Sequence, residues 1–255
     1  MKRVLTFIGY VLILALLAAC GPSPDQIATI TASAWTPTLP PTNTPVPTNT
    51  PIPTTTAPPF PFRDDFDGKL AEDWIWLGED PTHWNLTDMP GFVSITAQGT
   101  NIGGDAEPKN FLVRTAPTGN FEIETYVKFE PTSNFQFAGL LVYEAQGKAL
   151  GYGRAFAKCN FPDFCKENAL YFDNPTQTGV PNFVTPISNP SDVYLRLRRE
   201  GNTYTAFYSE DASTWIQIGQ HTSEISPIHV GLIASQAYEQ AKVADFDYFT
   251  IQALP

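Results

Sequence analysis

The first residues whose types and spacing could do chemistry are two acids in Phe121-Glu122-Ile123-Glu124-Thr125-Tyr126. On an extended chain alternate side chains share a face, so Glu122, Glu124 and Tyr126 stand in one row. Glycoside hydrolysis needs two carboxyl groups about 5–5.5 Å apart for retention, or about 6.5–9.5 Å apart for inversion. Glu122 and Glu124 are near enough, but the next residues on that face are Tyr126 and Lys128, not a third acid. A strand with one solvated face accounts for the alternation without catalysis. No Ser/His/Asp set is visible, and His83, His221 and His229 are scattered. The sequence therefore reads as non-enzymatic, with a glycoside hydrolase as the lesser alternative.

The same residues suit sugar recognition better. Sugar sites combine flat aromatic rings with planar hydrogen-bonding groups. Glu122, Glu124 and Tyr126 come from one run, Tyr152 and Arg154 from Gly151-Tyr152-Gly153-Arg154, Tyr171 from a third run, and Arg196 and Arg198 from a fourth. Sharing one sheet, they would line a concave polar groove. The plainer alternative is a solvated sheet with cross-strand Glu–Arg pairs, each worth little. Trp76 precedes a loop at Gly78-Glu79-Asp80-Pro81 and is the tryptophan expected to be exposed. Trp84 and Trp215 lie in alternating runs with aliphatic residues and are expected in the core.

Asp64, Asp65 and Asp67 would approach Asp245 and Asp247 if the first and last strands are neighbours. Clustered carboxylates with backbone carbonyls can hold a structural calcium ion, which takes six to eight oxygens. Alternatively, these aspartates cap turns by accepting backbone N–H bonds. Cys159 and Cys165, six residues apart around Pro162, are expected to form a disulfide that pins a surface excursion. Two thiolates with no neighbouring His or Cys are a poor zinc set.

The elements that must position these groups have a period close to two. Residues 121–129, 193–198, 203–209 and 243–252 all alternate, which is the mark of half-buried strands. Pro90-Gly91, Gly103-Gly104, Pro117-Thr118-Gly119-Asn120 and Glu200-Gly201-Asn202 punctuate them. No run shows a convincing helical stripe. About a dozen short strands in two facing sheets are expected, with a long loop from Asn174 to Pro190 crossing one end.

The N-terminus carries a separate message. Lys2 and Arg3 precede an apolar run from Val4 to Leu17, which ends in Leu17-Ala18-Ala19-Cys20. The run is short of the ~20 residues that span a bilayer. This segment resembles a bacterial lipoprotein signal, and the resemblance implies cleavage after residue 19 and lipid on Cys20. Residues 20–59 then form a lipidated N-terminus and a disordered tether. Thr36–Pro59 is almost wholly Thr and Pro, cannot bury a core, and in polyproline II would reach roughly 75 Å. The expected location is extracytoplasmic, in the cell envelope, with the lipid on Cys20 as the link to the membrane. Residues 60–255 carry 13 Lys and Arg against 25 Asp and Glu, a net charge of −12. Nucleic acid and anionic lipid surfaces are excluded as partners, because both demand a basic face.

Within residues 60–255 the order of motifs resembles concanavalin A-like lectin/glucanase domains. It begins with Phe62-Arg63-Asp64-Asp65-Phe66-Asp67-Gly68 and Trp74-Ile75-Trp76. Ala138-Gly139-Leu140-Leu141-Val142-Tyr143 and Tyr194-Leu195-Arg196-Leu197-Arg198-Arg199-Glu200-Gly201-Asn202 follow. Ala244-Asp245-Phe246-Asp247-Tyr248-Phe249 ends it. The subgroup it most resembles is the C-terminal domain of family 43 β-xylosidases. The resemblance implies an all-β, two-sheet antiparallel jelly-roll sandwich. It also implies polysaccharide as partner, with secreted glycoside hydrolases acting nearby; the alternative is a protein-interaction or adhesion module. One departure is Ala212 after Asp211, where the family often has glycine; the turn is expected to avoid positive φ.

Overall fold

Alternation along the sequence becomes alternation of environment in the computed structural model, which describes residues 60–255 except 105, 161–164, 176–181 and 190. The lipoprotein signal, Cys20 and the Pro/Thr tract lie outside the described residues. The strands, numbered in chain order, form two antiparallel sheets. The eight-stranded sheet runs β13 (Ile216–Thr222), β12 (Thr203–Ser209), β11 (Asp192–Glu200), β6 (Phe121–Lys128), β15 (Lys242–Ala253), β4 (Val93–Ala97) and β3 (Trp84–Asn85), and β1 (Phe62–Asp64) also pairs with β15. The seven-stranded sheet runs β10 (Phe183–Pro186), β9 (Ala169–Asp173), β8 (Lys148–Ala155), β7 (Phe137–Ala145), β14 (His229–Ser235), β5 (Phe111–Thr115) and β2 (Ile75–Leu77). The all-β sandwich is thus as expected, with fifteen strands among the described residues rather than a dozen, and the first and last strands are neighbours. The stretch read as a long loop from Asn174 to Pro190 contains β10.

The main core lies between the sheets. Ile123, Val127, Leu195, Leu197, Phe246 and Phe249 of the first sheet meet Leu140, Val142, Leu150, Phe172 and Leu232 of the second. Burying each such side chain contributes about 1.5–3 kcal/mol. The sheets then differ. Along β6, buried and half-exposed residues alternate strictly, so the outer face of the eight-stranded sheet is open. Along β7, six successive residues are buried. Leu140 and Val142 join the main core, whereas Leu141 between them joins a second cluster with Phe111, Phe137, Ile233 and Ile102. The seven-stranded sheet is therefore covered on both faces. Its strands approach closely at Gly139 and Gly153, where a Cβ on Gly153 would stand 2.1 Å from the Ala138 carbonyl oxygen.

The side edges at β10 and β13 are not straight. Ala206 faces Gly219 and Phe207 faces Gln217, which leaves Ile218 as an unmatched bulge residue on β13. β10 ends in Pro186. The Cys159–Cys165 disulfide is present, with Cα atoms 5.6 Å apart.

Candidate ligand-binding face

Glu122, Glu124 and Tyr126 all point outward from β6, as the alternation requires. Antiparallel pairing places Arg198 opposite Glu122, Arg196 opposite Glu124 and Tyr194 opposite Tyr126. Arg196 donates to one oxygen of Glu124 from Nε at 2.8 Å and from Nη2 at 2.6 Å. Its Nε also lies 3.3 Å from Glu122, whose other oxygen accepts from Arg198 Nε at 2.9 Å. These side chains are only partly exposed, at 20% for Glu124 and 13% for Glu122. Both carboxylates are thus held by guanidinium groups, as in the plainer reading of this face.

Aromatic rings extend the network sideways. The Arg196 guanidinium sits 3.6 Å from the centroid of Trp215. The second oxygen of Glu124 accepts a 2.6 Å hydrogen bond from Tyr248 Oη, and Arg63 lies 4.2 Å above the Tyr248 ring. Burial, followed by the bond to Glu124, pushes the Tyr248 phenol well above its ordinary range. Arg63 is raised chiefly by its hydrogen bond to Asp65. A row of planar groups, Trp215, Arg196, Glu124, Tyr248 and Arg63, therefore crosses the sheet. Beside it, Tyr126 and Tyr194 pack with centroids 4.5 Å apart, and burial pushes Tyr126 up to about 12. Chemically this face offers aromatic rings for the C–H faces of sugars and fixed donors and acceptors for hydroxyls.

Other expected residues fall elsewhere. Tyr152 and Arg154 are on β8 of the opposite sheet and point inward, at 0% and 1% exposure. Tyr152 donates to the Phe207 carbonyl at 2.8 Å, and Arg154 to Asn168 at 2.6 Å. Tyr171, on β9, is 9% exposed in the second cluster, with its hydroxyl bound to Lys166. The single groove expected from all these residues does not form, because the core between the sheets claims Tyr152 and Arg154 and the apolar covering of the second sheet claims Tyr171. Trp76 is half-buried against Trp84, with centroids 4.7 Å apart. Trp215 is not in the core but on the open face over Arg196.

The aspartates also sort differently. Asp64 is 7% exposed and accepts from Phe66 N, Ala71 N and Trp74 Nε1 at 2.7–2.9 Å. It caps the turn after β1. Asp65 pairs with Arg63. Burial raises Asp247 above the usual carboxylate range. Among the described residues no group of three or more His, Cys, Asp or Glu stands together as a metal site. Backbone donors and Trp74 take the oxygens of Asp64, and Arg63 takes one of those of Asp65. Ala212 departs from expectation too, with a φ of 61°. Its turn is clamped by Asp211, which accepts from Ser213 N, Thr214 N and Ser209 Oγ at 2.7–2.9 Å.

Three residues of this network were not named as site residues by the sequence reading, and one of them, Tyr248, is buried beneath the face. Tyr194 was legible, because it shares the phase of Arg196. Tyr248 was not, because a register shift between Phe246 and Phe249 breaks the phase of β15. Trp215 reads as core with its aliphatic neighbours, but it takes the outward phase of Gln217 and not that of Ile216.

Comparison with known proteins agrees with this architecture. Residues 63–252 match the model of the "Beta xylosidase C-terminal Concanavalin A-like domain". A xylan 1,3-β-xylosidase from a Vibrio species is 25% identical over 208 residues, covering 75% of this chain but 38% of the enzyme. Among solved structures, the GH43 protein BlXynB of Bacillus licheniformis superposes with a TM-score of 0.63 at 19% identity, over 75% of this chain and 39% of its own. A Saccharomyces cerevisiae protein of unknown function gives 0.56 at 18% identity, over 72% of this chain and 97% of its own. The chain thus spans about two-fifths of the xylosidases it matches. It belongs to the β-xylosidase C-terminal concanavalin A-like domain family.

Proposed function

We propose that this chain is a non-catalytic lipoprotein that displays a polysaccharide-binding β-sandwich outside the cell. The observation that carries this reading is the Trp215–Arg196–Glu124 group on the open sheet face, buttressed from behind by the buried Tyr248. It joins flat rings to fixed polar groups, with both carboxylates held by arginines and so ill placed to act as acid or nucleophile. Family membership supports carbohydrate as the ligand class, and the Vibrio relative makes xylan the first polysaccharide to test. The lipobox ending at Cys20 supports anchoring, and the Pro/Thr tract supplies reach.

The test is binding of the 60–255 domain to a glycan array that includes xylans, alongside the Trp215→Ala variant. Selective binding to one glycan class, weakened at least tenfold by the substitution, is the expected result. Binding to none, or binding indifferent to Trp215, overturns the reading. Loss of radiolabelled fatty acid from the full chain on Cys20→Ala tests the anchor.

A further inference from the structure

Beyond the open face, the hairpin between β12 and β13 shapes a separate cleft. The Asp211 clamp fixes the turn, so its residues project in set directions. Trp215 turns onto the open face over Arg196, while its neighbours Thr214 and Ile216 turn the other way. They line a cleft of about 470 Å³ with Tyr208, Ile187, Ser188 and Glu210. That size falls within the ~300–1,000 Å³ usual for small-molecule sites.

We infer that this cleft is a second saccharide site that takes one or two neutral sugar rings. The inference rests on the carbohydrate reading above. Ile216 is 49% exposed, an apolar wall left open beside the half-buried ring of Tyr208. Together they suit the C–H face of a pyranose ring. Ser188 Oγ donates to Glu210 Oε1 at 2.7 Å, which fixes an acceptor at the rim for sugar hydroxyls. Anions are disfavoured by Glu210 and Asp211, in a chain of net charge −11. A cation finds little charge to spare, because the turn donors hold Asp211. The hairpin is the shared wall between cleft and open face: Trp215 serves one side, and residues 214 and 216 serve the other. A glycan lying over Trp215 reaches the cleft by passing round the hairpin, since successive residues point to opposite faces.

The test is an NMR titration of the isotopically labelled full chain, in detergent, with xylotetraose. Saturable shifts are expected at the amides of Ser188, Glu210, Thr214 and Ile216, and weakened at least tenfold in both Ile216→Lys and Glu210→Ala. Both side chains stand at the surface, so the fold tolerates these changes, and an unchanged spectrum elsewhere verifies that. Shifts confined to the open face, at Tyr126 and Arg196, overturn the cleft and leave the open-face reading intact. Cleft shifts indifferent to both variants mean an adventitious contact and also overturn it. No shifts at either place overturn both.

Discussion

Arg196 is stacked 3.6 Å from the centroid of Trp215 while it donates two hydrogen bonds to a single oxygen of Glu124. One guanidinium therefore orients both a ring and a carboxylate. Arg196→Ala is expected to cost about 1–3 kcal/mol, since it leaves the partly buried Glu124 with Tyr248 as its remaining partner and no positive charge. It also frees the Trp215 ring from its support. Chemical denaturation checks the stability, and quenching of Trp215 fluorescence checks the order of the ring. An unchanged urea midpoint would show that the network contributes nothing to the fold.

Ala212 has a φ of 61° on an exposed turn. A Cβ in the left-handed region costs about 1–2 kcal/mol, and glycine gives part of that back as unfolded-state entropy. Ala212→Gly is expected to stabilise the domain by about 0.5–1 kcal/mol, raising Tm by about 1–4 °C. Differential scanning calorimetry reads this directly, and a lowered Tm would refute it.

Asp173 ends β9, with Oδ1 buried and unpartnered among the described residues. Burial raises its pKa to about 6. A raised folded value means that its contribution is fully present below the unfolded value, near 3.9, and is lost as pH rises through about 6. Asp173→Asn keeps the shape without the charge. It is expected to gain about 1–3 kcal/mol over the wild type at pH 7.5 and nothing at pH 3.5. Urea midpoints at the two pH values decide, and equal differences at both would sink the assignment.

His221 has the opposite sign. Its Nε2 donates to the Phe172 carbonyl at 2.9 Å, and its ring is boxed by Phe172 and Phe183. Burial lowers its pKa. Its contribution is therefore present above the unfolded value, near 6.5, and lost as pH falls from there through the folded pKa. His221 should weaken the domain as pH falls below 6.5, against the opposite slope from Asp173, and His221→Gln should remove its share. Burial lowers His229 as well, so some slope should persist in the variant. Identical slopes for both proteins would show that His221 takes up its proton without unfolding anything.

Much of the fold was legible because period-two burial is written directly in β6 and β11. The Cys159–Cys165 bridge was legible from the number of cysteines and the exported compartment that the N-terminal resemblance implies. The site was legible only in part. Phase assigns a residue to a face of its own strand, but not to a particular sheet. Tyr152 and Arg154 have the same phase pattern as Glu122 and Glu124, yet they point between the sheets, from the sheet that is also covered on its outer face. What covers it, the segment carrying Ile102, is sequence-distant and shows no periodicity. Positive φ at Ala212 was equally hidden, because the Asp211 clamp that enforces it is a matter of geometry.

The bulge at Ile218 and the proline that ends β10 have a consequence for crowded surfaces. Where many copies of the domain crowd together, straight, bare strand edges knit into aggregates. A bulged edge and a proline-ended edge deny a neighbouring copy a template of that kind. At the β10 and β13 rims the sandwich thus resists strand-to-strand fusion with a close neighbour.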